Sequence, residues 1–120
     1  ALERAEIQQA MGRFCAYTQQ LTQRAFERLS CVPKLTIYGP RGAAGRTPLV
    51  SFNVDGWNPM DLAEALNRDG IESRAGCHCA TLAHRALQLD PPASCRLSFY
   101  LYNTMDEVDA APDAVRRAVH

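Results

Sequence analysis

Seven consecutive residues, Arg74-Ala75-Gly76-Cys77-His78-Cys79-Ala80, bring together a cation, a glycine, two thiols and an imidazole. That mixture suits nucleophilic chemistry or a metal. Cys79 has the better setting for reactivity, because the next stretch, Thr81 to Leu87, has helical character. A sulfur at a helix N-terminus meets unpaired N–H groups and the positive end of the dipole. Both favour the thiolate, which is the nucleophilic form. Arg74 and His78 make the surroundings electropositive, and Gly76 permits a turn that other residues resist. The bland alternative is a small, inert core cysteine. A zinc module built from Cys77, His78, Cys79 and His84 has the right ligand types. It fits poorly, since Cys-x-Cys is tighter than the usual spacing and no second pair is present. A pure interaction domain, docking through its long first helix, is the third reading and assigns Cys79 no role.

A second constellation lies in Cys95-Arg96-Leu97-Ser98-Phe99. The run Cys95 to Tyr102 alternates as a strand, with Leu97, Phe99 and Leu101 inward and Arg96, Ser98, Tyr100 and Tyr102 on the other face. Ile71 to Arg74 reads as a short strand whose alternation separates Arg74 from Ile71. Both arginines therefore turn away from the core, towards whatever packs there. A guanidinium fork suits a carboxylate, although a surface cation is the ordinary fate of an arginine.

Several elements must hold these groups in place. Residues 3–29 read as one long helix, with Ile7, Met11, Phe14, Thr18, Leu21 and Ala25 at helical spacing and Phe26 and Leu29 widening the stripe. Cys15, at the edge of that stripe, and Cys31, in the break after it, read as structural. Strands occupy 34–38 and 49–54. Between them runs Gly39 to Pro48, rich in Gly and Arg. It is not a phosphate loop, because five residues rather than four separate Gly39 from Gly45, and arginine stands where lysine is required. Asn58-Pro59-Met60-Asp61 starts a helix that Gly70 ends. Thr104-Met105-Asp106-Glu107 fits a capping box opening the last helix, where Pro112 predicts a kink or a split. The fold class is α+β: a small, mainly antiparallel sheet covered by helices, with a long N-terminal helix.

Composition sets the limits. A chain of 120 residues makes one modest domain. Thirteen basic and thirteen acidic side chains cancel, so neither nucleic acid nor an anionic membrane is indicated as a partner. No apolar run approaches a membrane span and the start has no signal-peptide pattern. Five cysteines without a framework spacing suit a reducing compartment, by default the cytoplasm.

Arg-Ala-Gly-Cys-His-Cys-Ala, together with Cys95-Arg96-Leu97-Ser98 and Tyr102-Asn103-Thr104-Met105-Asp106-Glu107-Val108-Asp109 further on, resembles the C-terminal part of SUF-type cysteine desulfurases. These are pyridoxal-phosphate enzymes of the class V aminotransferase superfamily. Val32 to Pro40 is similar to the same family, so the likeness covers most of the chain. It implies that residues 1–120 are the small C-terminal domain of a larger enzyme. Cys79 would be the catalytic cysteine that takes sulfur from L-cysteine as a persulfide, releasing alanine. Arg96 would bind the substrate carboxylate, Arg74 would be a further substrate-site residue, and His78 would shuttle protons or hold the turn. Ser98 and Asn103 would support structure.

The only lysine is Lys34, which is not the family's Schiff-base residue. The cofactor, pyridoxal 5'-phosphate, would therefore belong to a large domain outside this stretch, and the stretch alone would be inactive. Implied partners are a second copy in a homodimer and an acceptor protein, feeding iron–sulfur cluster assembly or other sulfur delivery. L-selenocysteine is the alternative substrate, through a selenocysteine lyase. Cys77 departs from the family pattern, which has histidine there. Gly-Cys-x-Cys instead resembles the molybdenum-cofactor sulfurases, and Cys77 is a candidate redox partner of Cys79.

Overall fold

The computed structural model describes residues 3–120. Helix α1 spans Arg4–Ser30, opened by a Glu3–Glu6 capping box and closed at Cys31. Its apolar stripe divides into two. In the C-terminal half, Leu21, Ala25 and Leu29 are fully buried. Thr18 and Thr22 join them because their hydroxyls donate to the Phe14 and Thr18 carbonyls, at 2.9 and 2.7 Å. In the N-terminal half, Ile7, Met11 and Phe14 remain 46%, 55% and 37% exposed. The helical register was legible; the extent of its burial was not. Cys15 and Cys31 are both exposed, so Cys15 is not a core residue here.

The sheet has four strands: β1 (Leu35–Tyr38), β2 (Leu49–Val54), β3 (Arg74–Gly76) and β4 (Ser94–Ser98). They form one antiparallel sheet in the order β1-β2-β4-β3. Helices α2 (Pro59–Arg68) and α4 (Met105–Val119) pack with α1 around the core, and a short helix α3 (Thr81–Ala86) comes after β3. The α+β class and the helix-covered antiparallel sheet are as the sequence predicts. Alternation along β2 and β4 buries Val50, Phe52, Val54, Cys95 and Leu97 in one core with Leu21, Leu29, Leu62, Leu66, Val108 and Val115. Two local signals hold in detail. The Asn58 side chain accepts from the Met60 amide at 2.9 Å, and Thr104 and Glu107 form a reciprocal capping box. The loop after β1 is a hairpin whose Arg46 donates to the carbonyls of Pro40, Gly42 and Tyr38. Its guanidinium is committed to the loop itself.

Three boundaries differ from the sequence reading. β3 begins at Arg74, so the run Ile71–Ser73 precedes the strand instead of forming it. β4 stops at Ser98, because Asn103 folds the chain back. The Asn103 side chain accepts from the Tyr100 amide at 2.9 Å, and the Asn103 amide donates to the Tyr100 carbonyl at 3.0 Å. Leu101 consequently lies outside the core, 41% exposed, while Phe99 stays buried. Finally, α4 runs in one piece through Pro112. Proline forfeits one helical hydrogen bond, but Pro112 is itself buried, along with Val108, Ala111, Ala114 and Val115, which pack into the core.

Candidate active site

The catalytic candidates converge at one corner of the sheet, on the face opposite α1, α2 and α4 and beside α3. Arg74 and Arg96 are direct partners in the β3–β4 register, as are Gly76 and Ser94. Directly paired residues project from the same face, so the two arginine side chains leave the sheet as neighbours. Like charges at such a position repel. Arg96 Nε is moreover buried without a hydrogen-bond partner among the described residues. An orphaned donor on a cation, next to a second cation, suits an anion with two oxygens.

Beyond Arg74 the chain reaches Gly76, whose φ of +136° only glycine adopts without strain. The Cys77 carbonyl then accepts from the Ala80 amide at 2.7 Å. His78 and Cys79, at the centre of this turn, have φ of 49° and 59°. Left-handed backbone at both central positions is the mark of a type I′ turn, normally populated by Gly, Asn or Asp. For other residues it costs about 1–3 kcal/mol each, and it persists only where surrounding structure imposes it.

Two histidines and a serine impose it. His84 is buried and donates from Nδ1 to the Ala80 carbonyl at 2.8 Å, which leaves Nε2 to accept from the Ser94 hydroxyl at 2.8 Å. His78 donates from Nε2 to the Ser94 carbonyl at 2.9 Å. Because a carbonyl only accepts, the proton sits on Nε2 and the His78 lone pair is at Nδ1. Burial holds the His78 pKa below its ordinary value, against the opposing pull of the Ser94 carbonyl. The nearby charges of Arg96 and Arg74 act in the same direction as burial. His78 is thus a neutral base within the field of both arginines.

The two thiols differ. Both are exposed. The Cys77 pKa is lowered, first by a hydrogen bond from the Thr81 side chain and next by one from the Cys79 amide, with Arg74 contributing charge. Of the two, Cys77 is therefore the thiol whose thiolate form its surroundings favour. The helix itself has six residues and begins two positions after Cys79, so the dipole argument from sequence applies less strongly to Cys79 than the spacing implied.

All five sequence candidates, Arg74, Cys77, His78, Cys79 and Arg96, lie in this corner. Ser94 and His84 are the residues that sequence reasoning missed as supports of the turn. Period two, counted back from Arg96, would have placed Ser94 on the same face. Nothing in the spacing marked His84 beyond its membership of the zinc set. That set finds no geometric support: among the described residues no three His, Cys, Asp or Glu side chains converge as metal ligands. Both ring nitrogens of His84 are already engaged. No helix among the described residues is long and apolar enough to cross a membrane.

The model of the family described as aminotransferase class-V matches residues 3–111. A probable cysteine desulfurase of Halobacterium salinarum is 47% identical over 108 residues, which are 90% of this chain and 25% of that protein. A probable cysteine desulfurase of Halalkalibacterium halodurans is 45% identical over 78% of this chain and 22% of its own length. The chain thus spans about a quarter of the length of the curated relatives it matches. Among solved structures, the apo cysteine desulfurase of Thermococcus onnurineus superimposes with a TM-score of 0.86 at 31% identity, over 97% of this chain and 28% of that one.

Proposed function

The chain belongs to the class-V aminotransferase family, and from that premise we propose that it is the small C-terminal domain of a pyridoxal-phosphate-dependent cysteine desulfurase. The observation that carries the reading is the Arg74–Arg96 pair, with its unpartnered buried Nε, beside the Cys77–Cys79 turn. An amino-acid substrate brings a carboxylate for such a pair. The similar proteins are a probable cysteine desulfurase in H. salinarum and in H. halodurans and a cysteine desulfurase in T. onnurineus, which favours L-cysteine over L-selenocysteine as substrate.

Arg96 grips the substrate carboxylate and Arg74 adds charge alongside it. This anchors the amino acid with its thiol towards the turn. The Cys79 thiolate attacks the substrate sulfur, the S–Cβ bond breaks, and the sulfur remains on Cys79 as a persulfide while the carbon skeleton leaves as alanine. His78, neutral and with its lone pair at Nδ1, takes or returns a proton at that position. Pyridoxal phosphate, when bound, supplies the electron sink that lets the S–Cβ bond break.

The residues of this chain do not fit the attachment of that cofactor. The only lysine, Lys34, immediately precedes β1, whereas β3 lies at the opposite edge of the sheet. The cofactor would be held by protein outside these 120 residues, and the stretch alone would be inactive. A homodimer, a sulfur-acceptor protein, and a cytoplasmic setting in which the five cysteines stay reduced complete the proposal.

The test uses the cofactor-loaded full-length protein and one equivalent of L-cysteine, with sulfur addition mapped by mass spectrometry. A persulfide on Cys79 is expected, with both persulfide and alanine lost in Cys79→Ser. Alanine formation that survives Cys79→Ser would overturn the assignment.

A further inference from the structure

We propose that Cys77 is a second sulfur carrier, which takes the outer sulfur from the Cys79 persulfide and presents it for onward transfer. The inference rests on the desulfurase reading and concerns the fate of the sulfur once Cys79 has abstracted it. The turn closed by the Cys77 carbonyl and the Ala80 amide folds Cys77 back over His78 and Cys79. The Cys77 thiol stands two residues from that of Cys79 on this turn, and hydrogen bonding from the Thr81 side chain and the Cys79 backbone lowers its pKa. Both thiols are exposed, and the left-handed backbone at His78 and Cys79 keeps them on one tight turn.

The step balances without a co-reactant. The Cys77 thiolate attacks the outer sulfur of the Cys79 persulfide, and a bond forms between Cys77 Sγ and that sulfur. The bond from the outer sulfur to Cys79 Sγ breaks, and its electron pair stays on Cys79 as a thiolate. The proton of the outer sulfur is retained, and no net oxidation or reduction occurs. Cys79 is thereby ready for another substrate. Attack at the inner sulfur would instead release hydrosulfide and leave a Cys77–Cys79 disulfide, which needs a reductant before the next turnover.

Onward transfer explains why the sulfur should rest on Cys77. An acceptor thiolate that takes the outer sulfur expels the carrier thiolate, and a lower thiol pKa makes a faster leaving group. The donors around Cys77 stabilise that thiolate. Cys79 would then be the extracting thiol and Cys77 the delivering one.

The cofactor-loaded full-length protein is mixed with one equivalent of L-cysteine, quenched with an alkylating agent over time, and mapped by mass spectrometry. Sulfur should appear first on Cys79 and then on Cys77, a result that needs no substitution. In Cys77→Ser, sulfur should stay on Cys79, and sulfide release to a small dithiol should slow about three- to tenfold. Independently of turnover, Thr81→Val should move the pH midpoint of Cys77 alkylation upward. Sulfur on Cys79 alone throughout, with wild-type release in Cys77→Ser, overturns the relay and leaves the desulfurase reading standing. A Cys77–Cys79 disulfide as the product overturns it in favour of a redox role. No alanine and no sulfur on either thiol overturns the desulfurase reading, and the relay with it.

Discussion

Arg96 illustrates how a residue unfavourable to its own fold points to a ligand. It faces Arg74 across a strand pair and keeps a buried donor unsatisfied, two features that burden the isolated domain. A substrate carboxylate relieves both. A hydrogen bond to a charged group contributes about 1.5–3 kcal/mol, so Arg96→Gln should lower kcat/KM for L-cysteine by about 10- to 100-fold, mainly through KM. The same substitution removes a like-charge contact, so the melting temperature should not fall. A lowered melting temperature with unchanged KM would make Arg96 a structural residue. His78 gives a second prediction at this scale. Its folded pKa lies below the unfolded value of about 6.5, chiefly because of burial. The unfolded chain therefore takes up the proton first, and stability depending on neutral His78 is complete above that value. It is lost as pH falls towards the folded pKa. Thermal melts from about pH 8 to 5 should show a loss that is smaller in His78→Gln. An identical loss in both proteins would place the titration elsewhere.

At the scale of elements, periodicity reads well wherever one face is buried by this chain itself. β2, α2 and the second half of α1 obey their apolar patterns. The failures share one cause, which is that local pattern was decided by a distant or non-periodic contact. Leu101 continues the alternation of Leu97 and Phe99, yet the Asn103 side chain turns the chain before it reaches the core. Pro112 should interrupt a helix, yet tertiary packing holds α4 together. The candidate corner was legible as a set of residues, since alternation put Arg74 and Arg96 on one face and the Cys77–Cys79 turn follows Arg74 directly in the chain. Its mechanics were not. The clamp of His78 and His84 on Ser94 joins residues 16 and 10 positions from that serine, and no period or short motif relates them. The proposed division of labour between the two sulfurs was hidden as well, because no motif marks the hydrogen bonding that lowers the Cys77 pKa.

For the molecule as a whole, two surfaces are inconsistent with a self-sufficient catalyst. One is the arginine corner, which on the proposed reading serves half of a reaction: it would supply the carboxylate anchor and sulfur acceptor, while the sole lysine stands across the sheet. The other is the first half of α1, where Ile7, Met11 and Phe14 form an apolar stripe that the described residues leave partly exposed. Both are accounted for if the remaining length of such an enzyme closes over the corner and along the helix. Residues 1–120 expressed alone and supplied with pyridoxal phosphate and L-cysteine should then be folded, by circular dichroism, yet release no alanine. In the full-length protein, hydrogen exchange over residues 4–14 should slow relative to the isolated chain, because burial of that stripe suppresses fraying of a helix end. Alanine from the isolated, folded chain would mean that a Schiff base on a lysine of another domain is dispensable. Equal exchange in both proteins would mean that the apolar stripe remains uncovered, and the exposed half of α1 would need a different explanation.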